Sequence, residues 1–198
     1  DDTIWNFRTN SKIALEIIYD RYGLSEYYPL FDEYYRVYSE KNTELWSLYH
    51  HNRISKETLI VERFRYPLQR VGAYNDKLVL QLNADYLSVL SEQGELVPQA
   101  RELLDYLKSR SYRLHIISNG FKEVQFKKMK SAGIENYFEK IILSDEVGVN
   151  KPHPDIFRYA LNKTGSSKNT SLMIGDNYDA DILGAMRSGL DQVYFNPL

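Results

Sequence analysis

The chain has 198 residues, enough for one domain, or one domain carrying an insert, with a sizeable core. Its 25 basic and 27 acidic residues leave a net charge of −2, so no global field draws it to a nucleic-acid polymer or an anionic membrane. It has no cysteine, which excludes disulfides and Cys-ligated zinc. No apolar run approaches the roughly 18 residues of a membrane span, and no signal-peptide pattern opens the chain, so a cytoplasmic protein is expected.

From about residue 9 to 93 the pattern is helical. Ile13, Ile17 and Ile18 form an apolar stripe, and "YPLFDEYYRVYSE" repeats aromatics at positions 28, 31, 34, 35 and 38. In "NDKLVLQLNADYLSVL", Leu78, Leu82, Tyr86, Val89 and Leu90 share one face, and Asn75 is placed to cap that helix. Most of the 17 tyrosines fall in this half, and packing explains them better than substrate stacking does. From about residue 94 the pattern alternates. Pro98 opens a helix with Ala100, Leu103, Leu104 and Leu107 on one face. "YRLHIISN" reads as a strand, "FKEVQFKKMKSAG" as a helix closed by Gly133, and "KIILS" as a strand. "HPDIFRYALNKTG" is a helix closed by Gly165, "SLMIGD" a strand, "DADILGAMRSG" a helix closed by Gly189, and "QVYFN" a last strand. This alternation predicts parallel β-α units in an α/β, doubly wound sheet.

In such a sheet, chemistry collects where strands end and helices begin. The strand ends here carry Ser118, Asn119 and Gly120, then Ser144, Asp145 and Glu146, then Asp176. A hydroxyl followed by glycine ahead of a helix suits an anion, because free N–H groups and the helix dipole favour negative charge. Lys151 can add a positive charge, and Asp176 and Asp181 offer the hard oxygens magnesium prefers. Taken singly, each has a plainer reading. Ser118 caps the next helix, Lys151 is a solvated loop lysine, Asp176 is a turn acid, and Asp179 and Asp181 complement the helix dipole. The functional reading rests on their coming together at one end of one sheet.

"DDTIWNF", "IISNG", "VGVNKPHPDIF" and "MIGDNYDADILGA" resemble, in order and spacing, the four motifs of the haloacid dehalogenase-like (HAD) hydrolase superfamily. The resemblance implies a Rossmann-like doubly wound core built from residues 1–8 and 94–198, with residues 9–93 as an inserted helical cap. The first motif of that family reads Asp-x-Asp-x-Thr, and "DDT" aligns with its last three positions. Asp1 is then the general acid/base, its main-chain carbonyl is a magnesium ligand, and Thr3 closes the motif. The nucleophilic aspartate is expected two residues ahead of Asp1, on a further N-terminal segment that also supplies a central strand. This chain by itself is expected to be inactive, and residues beyond "QVYFNPL" are expected too. The register that makes Asp1 the nucleophile breaks the motif at Thr3. Ser118 and the N–H of Asn119 would hold phosphoryl oxygens, Lys151 would neutralise charge, and Asp176 and Asp181 would bind Mg2+, Asp181 directly or through water.

"NTELWSLYHHNRISKETLIVERF" and "SDEVGVNKP" are further similar to the branch containing pyrimidine 5′-nucleotidases. That implies a magnesium-dependent phosphomonoester hydrolase on nucleoside monophosphates, a small phosphorylated partner, acting through an aspartyl-phosphate. Trp5, Phe7, Trp46, Tyr49, His50 and Arg53 are candidates for reading the base, with packing an equal explanation for each. The alternatives are a sugar-phosphate phosphatase, a phosphoglucomutase-like enzyme, a binding module on the same scaffold, and a metal-independent 2-haloacid dehalogenase, which needs neither metal acid. Oligomeric state has no signature here. Hinges are expected near residues 8–12 and 91–97.

Overall fold

The computed structural model describes residues 1–196, so Pro197 and Leu198, with which the final "QVYFNPL" ends, lie outside the described residues. The chain divides into two compact units, residues 1–7 together with those from 94 onward, and residues 8–93. No helix among the described residues is long and apolar enough to cross a membrane.

The second unit is helical. It takes in most of α1 (Phe7–Arg21), then α2 (Phe31–His50), α3 (Lys56–Arg70) and α4 (Asp76–Glu92). Two starts are capped as their chemistry demands: the Ser55 hydroxyl accepts from Thr58 N–H at 3.2 Å and the Asn75 side chain accepts from Leu78 N–H at 3.1 Å. The buried faces hold most of the expected residues and differ at single positions. In α1, Ala14, Leu15 and Ile18 are buried while Ile17 is 38% exposed. In α4, Val79 takes the buried place expected of Leu78. A stripe chosen from the largest apolar residues misses the small Ala14 that lets the helix pack closely. Tyr34 and Tyr38, one turn apart, lie 6.3 Å from each other in the core, Tyr38 also lying 5.1 Å from Phe64 and 5.8 Å from Tyr86 between ring centroids. Each fully buried leucine, isoleucine or phenylalanine of this core stabilises the unit by roughly 1.5–3 kcal/mol relative to exposure.

The first unit is mixed α/β. In chain order it has α5 (Ala100–Ser109), β1 (Leu114–Ser118), α6 (Lys122–Ser131), β2 (Phe138–Leu143), the short α7 (Ser144–Val147), α8 (Pro154–Thr164), β3 (Leu172–Gly175), a wide turn of π-helix (Tyr178–Leu183), α9 (Gly184–Arg187) and β4 (Asp191–Tyr194). β1 pairs β2 and β3 pairs β4, both in parallel, as alternating β-α units require. The two pairs are not hydrogen-bonded to each other among the described residues, so the expected sheet is present as two halves. Its outer face is partly open: Leu172 and Val193 are exposed. Ile142, Ile156, Phe157, Ala160, Ala185 and Leu190 form the core beneath.

Three local differences from expectation have clear causes. α5 starts at Ala100 rather than Pro98, because Gln99 before it is left-handed at φ 65°. Leu103, expected on the buried face of α5, is 50% exposed, and Leu104 carries the contact. The helix expected over 179–189 begins as a π turn: Ile182 N–H reaches back to Asn177 O at 3.3 Å, and the Asn177 side chain caps the turn through Ala180 N–H at 2.8 Å.

Candidate active site

β1 is a short strand carrying two isoleucines that delivers Ser118 at its carboxyl end, followed by Asn119 and Gly120. The Asn119 side chain forms a two-way clasp with a distant loop. Its amide donates to Lys151 O at 3.0 Å, and Lys151 N–H donates to its oxygen at 2.8 Å. The clasp fixes the Lys151 backbone, and the buried side chain then turns inward. The Lys151 ammonium donates to Ile117 O at 2.9 Å and to Asp181 Oδ1 at 2.5 Å. Lys151 is therefore not a solvated loop lysine.

The acids converge from the other half-sheet. Asp176 follows β3, and its Oδ1 accepts from the Thr3 hydroxyl at 2.6 Å. Asp181 folds back beneath the strand end, where its Oδ2 accepts from Asn177 N–H at 3.0 Å. Gly175 makes room for it, since a Cβ there would lie 2.3 Å from Asp181 Oδ2. The opening segment is held by main-chain bonds from Asn6 N–H to Glu95 O and from Val97 N–H to Ile4 O, at 3.0 and 2.8 Å. This brings Asp1 and Thr3 to the same place.

Electrostatics separates the two acids. Burial raises the pKa of Asp176, and Asp181 beside it adds to the rise, against the Thr3 hydrogen bond that lowers it. For Asp181 burial also raises the pKa, but the Lys151 charge and hydrogen bond outweigh it and hold the carboxyl below the usual range. Lys151 thus pairs with Asp181 alone, and Asp176 has no lysine or arginine in contact among the described residues. A half-buried carboxylate set beside a second one suits a hard cation. Among the described residues no three His, Cys, Asp or Glu side chains gather. The donors available are two carboxylates and the main-chain carbonyl of Asp1, which accepts from Thr3 N–H at 2.6 Å and keeps a second lone pair. An all-oxygen set of this kind fits magnesium.

Not every strand-end group joins the cluster. Asp145 accepts from Lys122 N–H at 3.3 Å and so caps α6, while Glu146 takes Tyr159 and Lys163 on the surface. Asp179 stays exposed in the first turn after β3. Trp46 lies 5.6 Å from Tyr49 and 5.5 Å from His50 in the helical unit, with Arg53 exposed nearby in sequence. Trp5 and Phe7 belong to the mixed unit.

Residues 1–189 match the description of haloacid dehalogenase-like hydrolases. The chain belongs to this family. It is 30% identical over 197 residues to the pyrimidine 5′-nucleotidase YjjG of Escherichia coli, covering 99% of this chain and 83% of that protein. It is 29% identical over 198 residues to the pyrimidine 5′-nucleotidase PynA of Streptococcus pneumoniae, covering 100% and 81%. The crystal structure of the HAD-hydrolase YfnB of Bacillus subtilis, bound to magnesium, superposes with a TM-score of 0.91 at 28% identity, covering 100% of this chain and 86% of that one.

In this HAD hydrolase two side chains of α6 had no part in the sequence reading. Lys128 is 4% exposed; its ammonium contacts the Asp1 carboxylate and lies 3.8 Å from the centroid of the Trp5 ring. Burial pulls its pKa down to about 7, well below the ordinary lysine value, against the nearby Asp2 charge, which raises it. Gln125, one turn earlier, donates to the Ser118 hydroxyl at 2.6 Å. Their signal is a polar pair at i and i+3 on the buried face of α6, beside Val124 and Met129.

Proposed function

We propose that this HAD hydrolase is a magnesium-dependent phosphomonoesterase acting on nucleoside monophosphates, pyrimidine ones foremost. The observation that carries the reading is the gathering of the half-buried Asp176 and the buried Asp181, the latter paired with the buried cation Lys151, near the strand ends. The names of PynA and YjjG support the substrate class. In this reading Asp176, Asp181 and the main-chain carbonyl of Asp1 hold the metal. A bound magnesium ion supplies positive charge that offsets the repulsion between a phosphate dianion and an attacking carboxylate.

The side chains divide the remaining work. Ser118 and the N–H of Asn119 hold phosphoryl oxygens, and Lys151 spreads its charge between Asp181 and the phosphate. The attacking carboxylate is the first aspartate of the family's opening motif, two positions ahead of Asp1. It forms a P–O bond as the ester P–O bond breaks, and Asp1 gives its proton to the leaving oxygen. Asp1 then takes a proton from water, whose oxygen displaces the aspartate and releases phosphate. Residues 9–93 correspond to the family's cap, and Trp46, Tyr49, His50 and Arg53 on it are the candidates for reading the base. We place the enzyme in the cytoplasm, where such nucleotides are found.

The test is phosphate release by the full-length protein, with and without EDTA, on pyrimidine and purine nucleoside monophosphates, sugar phosphates and a chloroalkanoic acid. EDTA-sensitive release that is fastest on dUMP, dTMP or UMP is expected. A maximum on sugar phosphates would keep the chemistry and discard the substrate. Bisphosphate-dependent isomerisation would indicate a mutase. Chloride release that survives EDTA would overturn the reading.

A further inference from the structure

Gln125 stands outside every role above, yet its amide touches the hydroxyl that this reading assigns to phosphate. Ser118 Oγ accepts two hydrogen bonds, from Gly120 N–H at 3.0 Å and from Gln125 Nε2 at 2.6 Å. A serine hydroxyl has two acceptor lone pairs and one donor hydrogen. With both lone pairs taken, the hydrogen is confined to the one remaining tetrahedral direction. No acceptor for it is found among the described residues, although Ser118 and Gln125 are each only 8% exposed. A buried donor without a partner is costly unless something fills its place.

Gly120 makes the arrangement possible. A Cβ at that position would lie 1.9 Å from Gln125 Nε2 and 3.1 Å from Ser118 Oγ, so any larger residue pushes the amide off the hydroxyl. The polarity matters as much as the contact. An acceptor in place of the Gln125 amide N–H would capture the serine hydrogen and leave nothing for a phosphoryl oxygen.

We propose that Gln125 is a positioning residue that locks the Ser118 hydroxyl as a one-way donor to a bound phosphoryl oxygen. The proposal rests on the phosphatase reading for Ser118. Gln125→Met should free one lone pair, let the hydroxyl rotate, and raise both KM and the inhibition constant of inorganic phosphate about tenfold, with a smaller change in kcat. The near-isosteric Gln125→Glu should do more harm, about a hundredfold, since it accepts the hydrogen and repels the anion.

The deciding measurement is a double-mutant cycle in the full-length protein, with inorganic phosphate binding followed by calorimetry beside the kinetics. If Gln125 acts through the hydroxyl, Gln125→Met adds nothing once Ser118→Ala is present. Equal losses from Gln125→Met with and without the Ser118→Ala substitution would make the residue merely structural and overturn the proposal. So would a Gln125→Glu protein that binds phosphate as well as Gln125→Met. Should Gln125→Met not fold, Gln125→Glu carries the same cycle alone. A wild-type protein that binds phosphate but releases none sinks the phosphatase reading while leaving the cycle readable by calorimetry. A wild-type protein that binds no phosphate sinks the proposal.

Discussion

Arg63 in the helical unit and Lys151 in the mixed unit are both buried cations, and they keep different company. Arg63 is 3% exposed; its Nε donates to Asn83 Oδ1 at 3.1 Å, and its guanidinium lies 5.0 Å from the Tyr86 ring and 5.5 Å from the Phe64 ring. No carboxylate pairs with it among the described residues. Its charge is spread over aromatic faces and one neutral amide, which is what packing a cation into an apolar core requires. Lys151 instead faces a carboxylate that itself sits beside a second, less compensated one. Buried charge alone therefore does not mark a site. What marks it is a local excess of one sign, gathered from several loops at the strand ends, with donors and acceptors left over.

Four measurements sharpen or break this contrast. The largest effect belongs to Asp176→Asn in the full-length protein, which should lower metal-dependent phosphate release by at least about a hundredfold. The metal-free variant should melt no lower than wild type, because burial and Asp181 already make the Asp176 charge unfavourable. A normal kcat would remove Asp176 from the site.

Next comes Lys151→Met. It strands the Asp181 carboxylate in the interior, so the urea midpoint should report a loss of about 3–5 kcal/mol. Arg63→Met strands only the neutral Asn83 oxygen and should lose about 1–3 kcal/mol. Equal losses would break the comparison between the two cations.

Alkaline stability should be set by the helical unit. Burial raises the pKa of Tyr34, Tyr38 and Tyr86, with neighbouring tyrosines adding to the rise for the first two. Below about pH 10 both folded and unfolded chains keep these protons, and the stabilisation is fully present. Above it the unfolded chain loses protons that the folded chain retains, so stability falls by up to about 1.4 kcal/mol per pH unit for each tyrosine. Denaturation midpoints that stay level from pH 9 to about pH 11 would contradict the buried, neutral hydroxyls. The smallest effect is Asn75→Ala, about 1 kcal/mol through loss of one cap, read as a small shift of the thermal midpoint.

Some of this was legible along the chain. The alternation of apolar runs with Gly-terminated helices gave the parallel direction of the strands, because a parallel pair needs a crossover between its members, while which strands pair came from the structure. Residue types made Ser118 and Asp176 at strand ends, with Lys151 ahead of α8 and Asp181 in the following turn, candidates, on the strength of their combination. Other features depended on which atoms meet. Ile17 lies on the apolar stripe of its helix yet points outward, as α1 buries Ala14 instead. Lys128 and Gln125 read as ordinary helix polars, and only the packing of α6 against Asp1, Trp5 and Ser118 sets them apart. Whether Lys151 is solvated or paired, and how the burden of charge divides between Asp176 and Asp181, turned on contacts between segments far apart in the chain. Periodicity and turn chemistry are local and survive in the sequence. The direction of a hydroxyl hydrogen and the balance of a buried charge are set by neighbours that only the tertiary structure brings within reach.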